Sequence, residues 1–107
     1  LMGTLEEYAR KVKDYTVKYA VQVTKIKGIE TTISDLETQI SEIHRSNVDR
    51  NILPLIERDI RTKIEKQRGS KASAEEKQAE LRAIERENIK NANELKEKIK
   101  AQPLPGN

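Results

Sequence analysis

The chain has 107 residues, of which 36% are charged and 35% hydrophobic, and its formal net charge is +3. It has one His and no Cys, Trp or Phe, which excludes a disulfide framework, a thiolate zinc site and a cysteine nucleophile. No run of about 18 apolar residues offers a membrane span, and the first residues do not read as a secretory signal.

With only 4 Gly and 3 Pro, and plentiful Glu, Lys, Ile and Ala, the composition is that of a long-helix protein. The first element is a heptad series. Leu5, Tyr8, Val12, Tyr15, Tyr19, Gln22, Ile26, Ile29, Ile33, Leu36, Ile40 and Ile43 alternate spacings of three and four, and only Gln22 is polar. Such a run predicts a long coiled-coil helix over 5–46, about 63 Å at 1.5 Å per residue. Thr4 and Glu7 have capping-box spacing at its start. Val17, Val21 and Val23 widen the apolar face, either as extra buried surface or as a docking patch. Gln22 either bends its amide out to water or fixes the register of the seam.

The seam ends at Asn47 and Arg50, and Pro54 disfavours a helical residue before it. A turn is predicted at 46–52 and a second helix from 53, carrying Leu53, Ile56, Ile60 and Ile64. Gly69 could cap that helix at about 68, and Ser73 with Glu76 could cap a third over 74–100. The third would bury Leu81, Ile84, Ile89, Ala92, Leu95 and Ile99, with Asn88 a polar intruder. If 69–72 is only a kink, residues 53–101 form one helix that matches the first in length. The expected fold is therefore all-α: an elongated antiparallel coiled-coil hairpin, or a three-helix bundle with one long N-terminal helix. Residues 1–101 are expected to form one domain, with 102–107 a loose tail. Met2 behind Leu1 reads as the mark of a fragment of a longer protein.

Charge argues for antiparallel pairing. Residues 28–53 hold two cations against five anions, and residues 54–71 hold six against three. A turn between them folds opposite charges together, which selects orientation more than it stabilises.

No catalytic constellation is legible. His44 is the lone imidazole and flanks the seam. No glycine-rich phosphate loop is present. The doublets Glu6-Glu7 and Glu75-Glu76 fit the first turns of helices, where they complement the helix dipole. The expectation is a non-enzyme with no cofactor, no metal and no small-molecule substrate. The basic run Arg58, Arg61, Lys63, Lys66, Arg68 and Lys71 could bind phosphates of nucleic acid or an anionic membrane. Three acids interleave it and no aromatic accompanies it, so a solvated helix face is the simpler account.

The expected interaction seam is Tyr8, Val12, Tyr15, Tyr19, Ile26, Ile29, Ile33, Leu36, Ile40 and Ile43. Leu5 to Ile43 offers 14 Leu, Ile, Val and Tyr residues, against nine Leu and Ile over 55–99. The first helix thus has more apolar face than the rest of the chain can cover. This points to an intracellular, cytoplasmic assembly module that forms a homodimer or takes a protein partner to complete its bundle. In heptads and length the chain resembles helical-bundle interaction modules in general, and no single family is assigned.

Overall fold

A computed structural model describes residues 2–101, with side chains from Leu5 onward. Two helices account for nearly all of it: α1 over Met2–Arg45 and α2 over Leu53–Ala101. Among the described residues there is no strand, so the all-α expectation holds. The tail 102–107 lies outside the described residues.

The turn between the helices is built by Asp49. Its carbonyl accepts from the N–H groups of Ile52, at 3.0 Å, and Leu53, at 2.9 Å. Its carboxylate accepts from the Asn51 N–H at 2.9 Å. Ser46 closes α1, donating its hydroxyl to the Ile43 carbonyl at 2.8 Å. Pro54 sits in the first turn of α2, where its missing N–H costs nothing. Basic residues end both helices, His44 and Arg45 in α1 and Lys98 and Lys100 in α2, which suits the negative end of the dipole.

The structure corrects the three-helix alternative. Residues 69–72 are helical, so there is no helix end near 68 and no separate helix from 74. Breaking a helix strands up to four backbone groups on each side. An interior glycine costs only about 1 kcal/mol relative to Ala. Packing adds to the case for continuity: Lys71 reaches across to Glu30 at 3.3 Å, and Ala74 is only 1% exposed. Gly69 therefore caps nothing, and Ser73, Glu75 and Glu76 lie inside α2 rather than in a first turn. The start of α1 moves too, because the helix already runs at Met2 and residue 4 is within it.

The chain divides into two compact units. One, the hairpin unit, is Val21–Lys77; the other, the terminal unit, is Leu1–Ala20 with Gln78–Asn107. In the hairpin unit α1 turns inward Val23, Ile26, Ile29, Ile33, Leu36, Ile40 and Ile43. The antiparallel α2 answers with Leu53, Ile56, Ile60, Ile64, Gln67, Lys71 and Ala74. The buried residues among those described are Ile29, Ile60, Ile64 and Ala74, and all lie in this unit. In the terminal unit α1 contributes Leu5, Tyr8, Tyr15 and Tyr19, all half-buried. There α2 contributes Gln78, Leu81, Glu85, Asn88, Ala92, Leu95 and Ile99, again half-buried.

Candidate functional site

The ten seam residues fall on one face of α1, and the structure spends that face on α2. Ile40 and Ile64 line one groove, and Tyr15 and Leu81 line another. The coverage is partial. Of the ten, Ile29 alone is buried, eight are half-buried, and Val12 is 44% exposed. Gln22 does not bend its amide clear of the protein: its Oε1 is buried and meets no hydrogen-bond donor among the described residues. Val17 and Val21 are exposed, so they do not widen the buried face.

On α2 the expected stripe is corrected at two positions. Ile84 and Ile89 are exposed and Glu85 turns inward, while Asn88 keeps its expected place on the stripe. The inward row over 53–99 is itself spaced by threes and fours, with one extra four-residue step between Ile56 and Ile64. Gln67, Lys71, Gln78, Glu85 and Asn88 occupy it, and these polar residues conceal the heptad from a search for apolar periodicity.

The terminal unit holds a cluster that seam spacing alone could not reveal. The Tyr15 and Tyr19 rings lie 5.5 Å apart. Arg82 donates to the Tyr19 hydroxyl through Nε, at 3.1 Å, and through Nη2. Its guanidinium also sits 5.4 Å from the Tyr19 ring centre. Beside it, Tyr15, Arg82, Glu85 and Arg86 line an open groove, and Glu85 Oε2 is buried there without a hydrogen-bond donor.

At the turn of the hairpin unit, Glu57 joins both helices. It accepts from Arg61 at 2.7 Å and lies 3.2 Å from His44 Nε2. The Arg61 hydrogen bond, aided by the charges of Arg61 and His44, holds the Glu57 carboxyl below the ordinary glutamate value. His44 is thus a partly exposed flanking residue bridged to one acid. Among the described residues no group of three His, Cys, Asp or Glu side chains could hold a metal ion.

The basic run is largely engaged in ion pairs. Arg61 pairs with Glu57, Lys63 with Asp59, Arg68 with Glu65 and Glu37, and Lys71 with Glu30 and Glu75. Arg58 and Lys66 have no such pair among the described residues. The contacts of Lys71 and Arg68 to α1 are the cross-helix pairs that the opposite charges of 28–53 and 54–71 call for. All keep at least one partner well exposed to water, so each adds little to stability.

No protein-family profile matches the chain, and no solved structure matches it. A stretch of 25 residues is 96% identical to the large ribosomal subunit protein bL9 of Finegoldia magna. That stretch is 23% of this chain and 17% of the bacterial protein, so the chain spans about a sixth of the length of the curated protein it matches. Among the described residues, no helix is long and apolar enough to cross a membrane.

Proposed function

We propose that this chain is a non-enzymatic protein–protein interaction and assembly module, acting through the heptad face of α1. The observation that carries the proposal is incomplete coverage. A 44-residue helix with a near-continuous apolar seam meets one partner helix, and among the described residues that pairing buries four side chains. Half-covered Tyr, Ile and Leu side chains leave apolar area in water, at about 25 cal/mol per Å². A further helix laid against both α1 and α2 removes that area. Paired helices that lack a complete core form bundles by recruiting more helices.

Basic residues 58–71 are better accounted for by their ion pairs than by a phosphate ligand. The 25 residues shared with the ribosomal protein are too few to bring that protein's place in the ribosome to this chain.

Light scattering and small-angle X-ray scattering across concentration and salt test the proposal. The expected result is a concentration-dependent oligomer, or a monomer with a broad, poorly cooperative melt. A strict monomer at high concentration with one sharp thermal transition overturns it.

A further inference from the structure

Resting on the assembly reading, we infer that one face of the terminal unit is built to receive an acidic amphipathic helix from a partner protein. The α2 edge of this face carries Arg82, Arg86 and Ile89. The α1 edge is the strip that three- and four-residue spacing makes of Ala9, Val12 and Thr16. The groove of Tyr15, Arg82, Glu85 and Arg86 joins the α2 edge to Tyr15, which is three residues from Val12.

Three observations point the same way. First, both edges keep apolar surface in water: Val12 is 44% exposed and Ile89 is 49% exposed. Second, the cations there are only partly countered: Glu85 shares the groove, and Arg82 turns its guanidinium to the Tyr19 hydroxyl. Arg82 and Arg86 have no carboxylate within ion-pair distance among the described residues, whereas four of the six cations over 58–71 do. For Arg86 the sequence explains why. The residues three and four positions from Arg86 are Arg82, Ala83, Ile89 and Lys90, and none is acidic. Arg82, Arg86 and Lys90 instead form a like-charged row at four-residue spacing, which is unfavourable within a helix. Third, the α1 edge offers no compensating acid, because Ala9, Val12 and Thr16 are all uncharged.

The chemistry of the occupant follows. Apolar side chains at heptad spacing would cover Val12 and Ile89, and carboxylates on the flank would meet Arg82 and Arg86. Flanking charges of this kind set partner choice and orientation between helices. The opposite edge of the same unit, at Ile84, differs in how its cations are held: Lys18 is paired with Asp14 at 2.8 Å, and Lys11 lies 5.3 Å from the Tyr8 ring centre. Nucleic acid fits less well, since half of the receiving face is uncharged and apolar.

The test uses the full chain and two synthetic 28-residue heptad peptides, identical at their Leu and Ile seam. One has Glu at every flanking position and the other has Lys. Fluorescence anisotropy at low and high salt reads binding, with a DNA duplex as a third ligand. The acidic peptide is expected to bind at least tenfold tighter than the basic one. Arg86→Glu should reverse that preference, Ile89→Asp should weaken binding at least tenfold, and Ile84→Asp should leave it within twofold. Circular dichroism of each variant checks that the helices persist. Equal binding of both peptides, indifference to Arg86→Glu, or tighter binding of DNA overturns the inference. A salt-insensitive homodimer that binds neither peptide overturns it and leaves the assembly reading standing. A cooperative monomer that binds neither peptide overturns both.

Discussion

The hairpin unit and the terminal unit use the same two helices to different ends. Between Val21 and Lys77 the facing rows are mostly Ile and Leu, the helices are joined by a short capped turn, and Ile29, Ile60, Ile64 and Ala74 are buried. In the terminal unit the facing rows are Tyr on α1 and, on α2, a mixture with Gln78, Glu85 and Asn88, and no described residue is fully buried. One unit has a small core of its own, and the other has the materials of an interface: aromatic rings, arginines and exposed aliphatics. Tyr and Arg are enriched in binding surfaces because each combines apolar area with polar reach.

The largest test of this difference is truncation. Ile64→Ala in the hairpin unit should cost about 2–5 kcal/mol, as expected for a buried isoleucine. Leu95→Ala in the terminal unit, where the side chain is half-buried, should cost less than half as much. Denaturant unfolding followed by far-ultraviolet circular dichroism compares the two. Similar losses would erase the distinction between the units.

Glu85 sharpens the comparison next. Its Oε2 is buried without a donor, so Glu85→Leu should stabilise the terminal unit by about 1 kcal/mol. A loss of stability would mean that the carboxylate is satisfied by a contact other than those described.

A smaller gain is expected at the helix-interior glycines. A Cβ at Gly28 or Gly69 would meet nothing within 4 Å, and neither residue has a positive φ. Gly69→Ala and Gly28→Ala should each stabilise by about 0.5–1 kcal/mol, read as a rise of a few degrees in Tm. A fall after Gly69→Ala would restore the break at 69–72 that the continuous helix denies.

The smallest effect is at the turn. Glu57 has its carboxyl pKa lowered in the folded chain, first by the Arg61 hydrogen bond. A depressed carboxylate stabilises the fold above its ordinary value of 4.5, and that contribution fades as pH falls through the lowered value. Acid titration should therefore loosen the turn below about pH 4.5, and Glu57→Gln should flatten that part of the curve. An unchanged curve in the variant would show that the pairs of Glu57 with Arg61 and His44 add nothing to folding.

Much of this architecture was legible in the sequence, and the losses have identifiable causes. The α1 row could be traced because eleven of its twelve positions are apolar, and the turn because Pro54 marks it. The α2 row could not. Gln67, Lys71, Gln78, Glu85 and Asn88 occupy inward positions, and the extra step between Ile56 and Ile64 shifts the phase. Ile84 and Ile89 then drew the apparent stripe onto the solvent face. Gly69 and Ser73 carried real cap signals, but local propensity of about 1 kcal/mol yields to the packing of Ala74 and the reach of Lys71 to Glu30. The Arg82–Tyr19 contact joins residues 63 apart in sequence, so no local pattern announces it.

Hydrogen exchange on the lone chain tests the central claim most directly, because opening free energies track local burial. The account predicts strong amide protection centred on 26–43 and 56–74, and weak protection over 5–19 and 81–99. The weakly protected set should gain protection when the acidic heptad peptide is added. Uniform protection along both helices, unchanged by the peptide, would contradict it: the terminal unit would then be complete in itself, with nothing left for a partner to finish.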